Sequence, residues 1–463
     1  PSEYNAEHVE KAINIPLDYV NEQLAGSHIG GYTAFNIDIT AFVKYDCNNL
    51  IAIKVDNKYN ADIPPLSADF SFYGGIYRDV NLVITPKIHF DLTNHGSKGV
   101  FIKTPLVTDS LAKVTVTSTI TNSETKPSKI RWINTFKDSK GTVVAIVSKK
   151  ISLKAFEKIT VQTNQIDFKS PELWSPKQPV LYSVTTQIIN ADTKQILDEI
   201  VQPLGFRWFS FNANSGFSLN GKPMKLMGVN RHQDYYGKGN ALTDEMHVRD
   251  MELLKEMGAN FVRLAHYPHN QTVYDACDRL GLIVWAEIPI VNGITISREF
   301  ENSCKNMQTE LIRQQFNHPS ILMWGYMNEV FGDMNWGVNA YLLPDEKKSR
   351  MIKTAELAQK LDSLTRAEDS SRVTVMAIDK STRYDEVGMC NIPQVLGFNL
   401  YQGWYYDEFS DFGKYVDDYH TKYPQKPFII SEYGAGSYQA LHSYLPIRYD
   451  HSMEWQEQFI ESY

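Results

Sequence analysis

Three things are scarce in this chain of 463 residues: cysteine, a surplus of positive charge, and long apolar runs. The 4 cysteines, Cys47, Cys277, Cys304 and Cys390, lie far apart and none forms a CxxC pair. They read as free thiols rather than a disulfide frame or a zinc site. Lys and Arg number 46 against 54 Asp and Glu, a formal net charge of −8. A nucleic-acid partner calls for a basic face, so this balance opposes one. No apolar run reaches the roughly 18 residues that span a bilayer, which argues against a membrane role. The opening PSEYNAEHVEK carries no signal-peptide pattern, and that silence does not choose between cytoplasm and periplasm. What is present is a globular composition, 43% hydrophobic and 22% charged, long enough for two or three domains. Aromatics at 12% suit the stacking faces of a sugar cleft, and suit a core equally.

The first half alternates with period two, one face buried and one wet. Phe35, Ile37 and Ile39 show it, then Ile51, Ile53 and Val55, then Val80, Leu82 and Ile84. After Pro86 a second β block runs from Val114 and Val116 to Val184, Thr186 and Ile188, with turn-rich stretches at 122–128 and 137–141. Two β-sandwich domains are expected, divided near residue 87.

Near Asn220 the pattern changes. LMGVNRH (226–232), NFVRLAH (260–266), LIVWAEI (282–288), ILMWGYMNE (321–329), VTVMAI (373–378), VLGFNLY (395–401) and PFIISEYG (427–434) are short apolar strands separated by helical segments. Thr243 can cap one such helix, presenting Met251, Leu254 and Met257 on one side before Gly258. Apolar strands alternating with helices describe a parallel sheet covered on both faces, and seven in a row point to a TIM barrel. No eighth strand is found, so the chain is expected to be a fragment or to continue in its native form, since an unclosed barrel leaves unpaired edges.

Catalytic groups of a TIM barrel sit at the C-terminal ends of its strands. Those ends supply Asn230-Arg231-His232, His266-Tyr267, Glu287, Asn328-Glu329, Asn399 with Tyr401, and Glu432-Tyr433. A single glutamate there reads as a solvated or ion-paired residue, and a lone histidine as a hydrogen-bonded structural group. Two carboxylates on one rim, with His, Asn and Tyr around them, fit glycoside hydrolysis. One carboxyl donates a proton to the leaving oxygen while the other attacks the anomeric carbon.

NFVRLAHYP (260–268) and QFNHPSILMWGYMNE (315–329) resemble the two signature stretches of the family-two glycoside hydrolases, and FIISEYG (428–434) resembles that family's nucleophile strand. SPELWSPKQPVLY (170–182) and GFRWF (205–209) resemble its exit from the second sandwich. The resemblance covers nearly the whole chain. It implies a jelly-roll sugar-binding domain (1–87, incomplete), an immunoglobulin-like sandwich (88–204) and a TIM-barrel catalytic domain (205–463, short of its last strand). It implies Glu329 as general acid/base and Glu432 as nucleophile of a retaining enzyme. Asn328 would bind the sugar 2-hydroxyl, Tyr401 and Arg263 would steady the nucleophile, and His232, His266 and Asp69 would contact sugar. Trp404 and Tyr405 either line the aglycone side or pack the barrel top.

The chain also departs from the family pattern. Ile290 and Asn292 stand where magnesium-dependent members carry a glutamate and a histidine, and Ala435 replaces a histidine near the nucleophile. No metal and no cofactor is therefore expected. No Asn-x-Lys element of the glucuronidases lies between Glu432 and Tyr463, and Asn220-Gly221-Lys222 reads as a hairpin turn. GVNRHQDYYGKGNAL (228–242) looks more like the β-galactosidases. The leading expectation is thus a hydrolase of terminal non-reducing β-D-galactosides. Alternatives are a β-glucuronidase, a β-mannosidase, or a carbohydrate-binding protein without turnover. A carbohydrate is the expected partner; a homo-oligomer is left open.

Overall fold

The computed structural model describes residues 6–10 and 17–463. Residues 1–5 and 11–16, part of the expected first domain, lie outside the described residues. The first β unit has two three-stranded sheets. One orders Ala34–Ile37, Ala6–Glu10 and Val80–Val83; the other orders Gln23–Ser27, Leu17–Val20 and Ile51–Lys54. Phe35, Ile37 and Ile39 are buried with Val20 as the alternation requires. Val80, Leu82 and Ile84 are not: the strand forms, yet these side chains stay 42–47% exposed.

The second unit is a sandwich. Its four-stranded sheet orders Val143–Leu153, Ser128–Lys137, Tyr182–Asn190 and Ile196–Leu204. The facing five-stranded sheet is centred on Leu111–Asn122. Trp132, Phe136 and Ile188 from the first meet Val114, Val116 and Ile120 from the second in one core, as inward positions of a period-two pattern must. Trp174 and Arg207, in the stretches leading out of this unit, bind it to the next. Trp174 Nε1 donates to the carbonyl of Asp278 at 2.8 Å, and buried Arg207 Nε donates to that of Pro319 at 2.8 Å.

The third unit is a parallel sheet of seven strands in chain order. Strand one is Gly228–Arg231, two Phe261–Leu264, three Ile283–Glu287, four Ile321–Asn328, five Val373–Ile378, six Val395–Asn399 and seven Phe428–Glu432. Helices Asp244–Glu256, Gln271–Leu280, Arg298–Gln314, Pro344–Glu368 and Asp411–Lys422 separate most of them. Thr243 caps the first, its side chain accepting from Met246 N. Met251 on that helix is buried, but Met257 is 64% exposed, because the helix ends there and turns away at Gly258. Among the described residues no eighth strand joins the sheet. Strands one and seven are not paired through their backbones; instead Asn230 Nδ2 donates to the carbonyl of Ser431 at 3.0 Å. Strand four is buried at every position, whereas Phe428–Ile430 of strand seven are only half-buried.

Inside the sheet's curve, Trp285 fills the floor below the strand ends. A Cβ on Gly325 would meet Trp285 Nε1 at 2.4 Å, and one on Gly397 would meet Trp285 Cη2 at 2.7 Å. Glycine at these two positions lets the indole lie flat between strands four and six. The guanidinium of Arg263 stands 4.5 Å from its ring centroid.

Candidate active site

A cleft of about 1250 Å³ opens at the C-terminal ends of the strands. Strand four delivers Asn328 and Glu329 into it. Asn328 N donates to the carbonyl of Ile290 at 2.8 Å, and Glu329 N to that of Ala377 at 3.1 Å, so the loop after strand three and strand five itself hold this step from both sides. Glu329 has φ +48°, a left-handed conformation costly for a residue with a Cβ. Strain of this kind, on the order of 1–3 kcal/mol, concentrates at functional sites.

Glu432, at the end of strand seven, is held through both oxygens. Arg263 Nη1 donates to Oε1 at 2.7 Å and the Tyr401 hydroxyl donates to Oε2 at 2.7 Å. Arg263 is fully buried and spends its other donors on Glu287, at 2.9 and 3.2 Å, and on Asn328 Oδ1 at 2.9 Å. Burial alone would lower the Arg263 pKa, but Glu287 and Glu432 raise it. Burial likewise works against Glu287, and Arg263 with His266 outweighs it, so that carboxyl is held below its ordinary range. The phenol of Tyr401 is pushed up by burial and then by Glu432, which keeps it a donor.

Glu329 experiences the opposite. Its Oε1 accepts from Asn399 Nδ2 at 2.7 Å, and no cation reaches it within ion-pair distance among the described residues. Burial first, then the charge of Glu432, push its carboxyl up to about 8, against the ordinary 4.5. Asn399 itself is fixed: Ser431 Oγ donates to its Oδ1 at 2.7 Å, so its amide must turn its N–H groups toward Glu329 and Asn328.

The remaining wall near Glu432 carries the expected imidazoles and the acid from the first β unit. His266 Nδ1 lies 2.7 Å from Glu287 Oε1 and 3.1 Å from Arg263 Nη2, and its Nε2 stands 3.6 Å from Glu432 Oε1 at the cleft. His232 is paired with the Tyr267 hydroxyl at 3.1 Å. Burial, then His266, lower its pKa to about 4, so it is neutral near pH 7. Asp69 lines the cleft, and the Phe70 ring packs at a tilt 5.0 Å from the His232 ring.

The structure thus brings Glu329, Glu432, Asp69, His232, His266, Asn328 and Tyr401 together in one cleft, with Arg263 beneath. It does not bring Trp404. That indole is 4% exposed, packed with Ala435 and Phe459 and against Tyr449; its neighbour Tyr405 takes the cleft position. Here Trp404 is part of the packing of the barrel top. Three contributors were passed over in the sequence: Ser431, and Asp379 and Arg383 beyond strand five; Asn399 was read as a strand end without a role. Asp379 directly follows strand five, so the strand-end rule that found the others could have found it. Asn292 lines the cleft and Ile290 is buried. Among the described residues no group of three or more His, Cys, Asp or Glu is placed to hold a metal ion.

Comparison with known proteins sets this geometry in a family. Models of glycosyl hydrolases family 2 match the chain in three consecutive parts: the sugar binding domain over residues 5–86, the family's middle domain over 98–207, and its TIM barrel domain over 212–463. A β-glucuronidase of Bacteroides fragilis is 35% identical over 428 residues, 90% of this chain and 58% of that protein. A β-galactosidase of Thermoanaerobacter pseudethanolicus is 37% identical over 331 residues, 70% of this chain and 42% of that protein. The crystal structure of a Bacteroides uniformis β-glucuronidase superimposes with a TM-score of 0.96 at 41% identity, covering 100% of this chain and 55% of its own. The chain spans about half the length of these relatives. With all three parts matched in order, the chain belongs to glycosyl hydrolase family 2.

Proposed function

We propose that the chain carries the catalytic centre of a retaining β-glycosidase acting on terminal, non-reducing sugars. The observation that carries this reading is the opposite state of two carboxyls in one cleft. Glu432 is gripped by a buried guanidinium and a phenol, the environment of an ionised nucleophile. Glu329 is kept protonated at neutral pH, the state a general acid starts from.

Glu432 attacks the anomeric carbon while Glu329 gives its proton to the departing glycosidic oxygen. The C–O bond to the aglycone breaks as the bond to Glu432 Oε forms. Water then enters, Glu329 takes its proton, and the sugar leaves with its original configuration. Asn328, whose Oδ1 accepts from Arg263 and Asn399, is left with its amide N–H groups for the sugar 2-hydroxyl. His266 Nε2 supplies a polar contact beside Glu432.

For the sugar, the names of the relatives that match nine-tenths or more of the chain at 35–41% identity favour a β-D-glucuronide. A β-D-galactoside is the second reading. It is favoured by the wall around Glu432, where His232 is neutral and Arg263 is committed to Glu287 and Glu432. A panel of nitrophenyl β-D-glucuronide, β-D-galactoside and β-D-mannoside, with the product anomer followed by NMR, tests both levels. The β-anomer should appear first. First appearance of the α-anomer overturns the retaining mechanism, and the substrate released fastest decides the sugar.

A further inference from the structure

At about 1250 Å³ the cleft exceeds the roughly 300–1,000 Å³ of a small-molecule pocket, and its two ends differ. Asp69, His232 and His266 gather at the Glu432 end. Asp379, Lys380 and Arg383, from the segment after strand five, gather at the Glu329 end with Asn335. Glu329, the proposed acid, makes that side the one where the leaving group departs, and the charge of Asp379 reaches it.

Two groups on this outer wall have capacity to spare. Asp379 Oδ1 accepts from Ser381 N at 2.8 Å, and among the described residues Asp379 makes no ion pair. Arg383 Nη1 donates to Asn335 Oδ1 at 2.6 Å and, more weakly, to Ser381 Oγ at 3.4 Å; the described residues give it no carboxylate partner either. The two charges act on each other, yet they remain too far apart to pair. A guanidinium fork and a carboxylate facing one space, held apart, are what a pair of neighbouring hydroxyls bridges: one donates to the carboxylate, the other accepts from the fork. Lys380 is different, being neutralised by Asp407, so the wall as a whole offers no surplus positive charge for an acidic group. Tyr405, 62% exposed, adds an aromatic face to the cleft, its ring 5.0 Å from that of Tyr401.

From this geometry we infer that the Asp379–Arg383 wall is an aglycone subsite for a second sugar residue, so that the natural substrate is an oligosaccharide and not an aryl glycoside. The inference rests on the proposed glycosidase reading. Arg383 and Asp379 bind the leaving sugar through its hydroxyls and orient its glycosidic oxygen toward Glu329.

The test compares two substrates that share the sugar released in the panel: its nitrophenyl β-glycoside, and its β-linked disaccharide with glucose. Each is assayed with the full chain and with Arg383→Ala, Arg383→Lys and Asp379→Asn, after a melting curve establishes that each variant is folded. The ratio of kcat/KM for disaccharide over nitrophenyl glycoside should fall about 10- to 100-fold in Arg383→Ala, the range for losing a hydrogen bond to a charged group. It should fall through KM as well as kcat, and Arg383→Lys should not restore it, because a point charge does not replace a fork. Asp379→Asn should lower the same ratio. Equal losses on both substrates, or none, overturn the subsite. A wild-type chain that cleaves the nitrophenyl glycoside but never the disaccharide also overturns it. Cleavage of no glycoside at all instead removes the glycosidase reading and the subsite with it.

Discussion

Replacing Glu329 with glutamine should make the protein more stable while disabling it, and the gain should grow with pH. In the fold the Glu329 carboxyl titrates at about 8, against an ordinary 4.5, because burial and Glu432 oppose its charge. Between those two pH values the folded chain keeps a proton that the unfolded chain has released. Stability is therefore untouched below about pH 4.5 and declines with rising pH at up to about 1.4 kcal/mol per pH unit. The decline levels off above about pH 8, where both states are ionised. The full cost is at most about 5 kcal/mol, the largest share of it carried by burial. Glutamine has the same shape and never ionises, so Glu329→Gln escapes the cost. Urea unfolding of both proteins at intervals from about pH 5 to pH 8 measures it directly, provided unfolding is reversible. The variant's advantage should be near zero at the acid end and reach several kcal/mol at the alkaline end. Parallel curves, or an advantage that shrinks with pH, would show that Glu329 is not held protonated and would remove the acid assignment. The wild-type activity should fall with a one-proton slope above about pH 8, where the acid is lost.

Asn399→Ala removes a hydrogen bond that favours the ionised form of Glu329, so the alkaline limb of the pH–rate profile should move to higher pH, with kcat reduced; a downward move would contradict the geometry. Tyr401→Phe deletes one of the two grips on Glu432 and should cost about 10- to 100-fold in kcat/KM with little change in melting temperature. Arg263→Ala leaves buried Glu287 and half-buried Glu432 without their shared cation, and a loss of about 3–5 kcal/mol in stability is expected from denaturant unfolding. Gly325→Ala drives a methyl to within 2.4 Å of Trp285 and should destabilise by about 1–3 kcal/mol while displacing Arg263; unchanged activity and stability would show the floor to be loose.

The parts of this site visible in the sequence were those that regular structure positions. Once period and apolar runs located the strands, the residue at each end was known to face the mouth, which is how Glu329, Glu432, Asn328 and His266 were found. Asn220-Gly221 was equally plain: both have positive φ, at 52° and 73°, in the tight turn joining Gly216–Leu219 to Lys222–Pro223. Arg383 escaped because its approach depends on the path of the chain from strand five into the four-residue helix Arg383–Glu386, and no periodicity encodes that path. Trp404 stayed undecided between cleft and core for a related reason. Beyond the last residue of strand six the alternation no longer applies, and the indole turned inward toward Phe459 while Tyr405 faced the cleft. The open faces of Val80 and Leu82 show that alternation marks a strand with two unlike faces but does not supply the layer that covers one of them.

Glu432 rides on the flank of the sheet, where strand seven is only half-buried and one asparagine amide spans the gap to strand one. Amide protons along Phe428–Glu432 should accordingly exchange with deuterium sooner than those of strand four, making the perch of Glu432 a looser part of the barrel than that of Glu329. Arg263 and Tyr401 then act as moorings: they keep the two oxygens aimed while the backbone beneath them fluctuates.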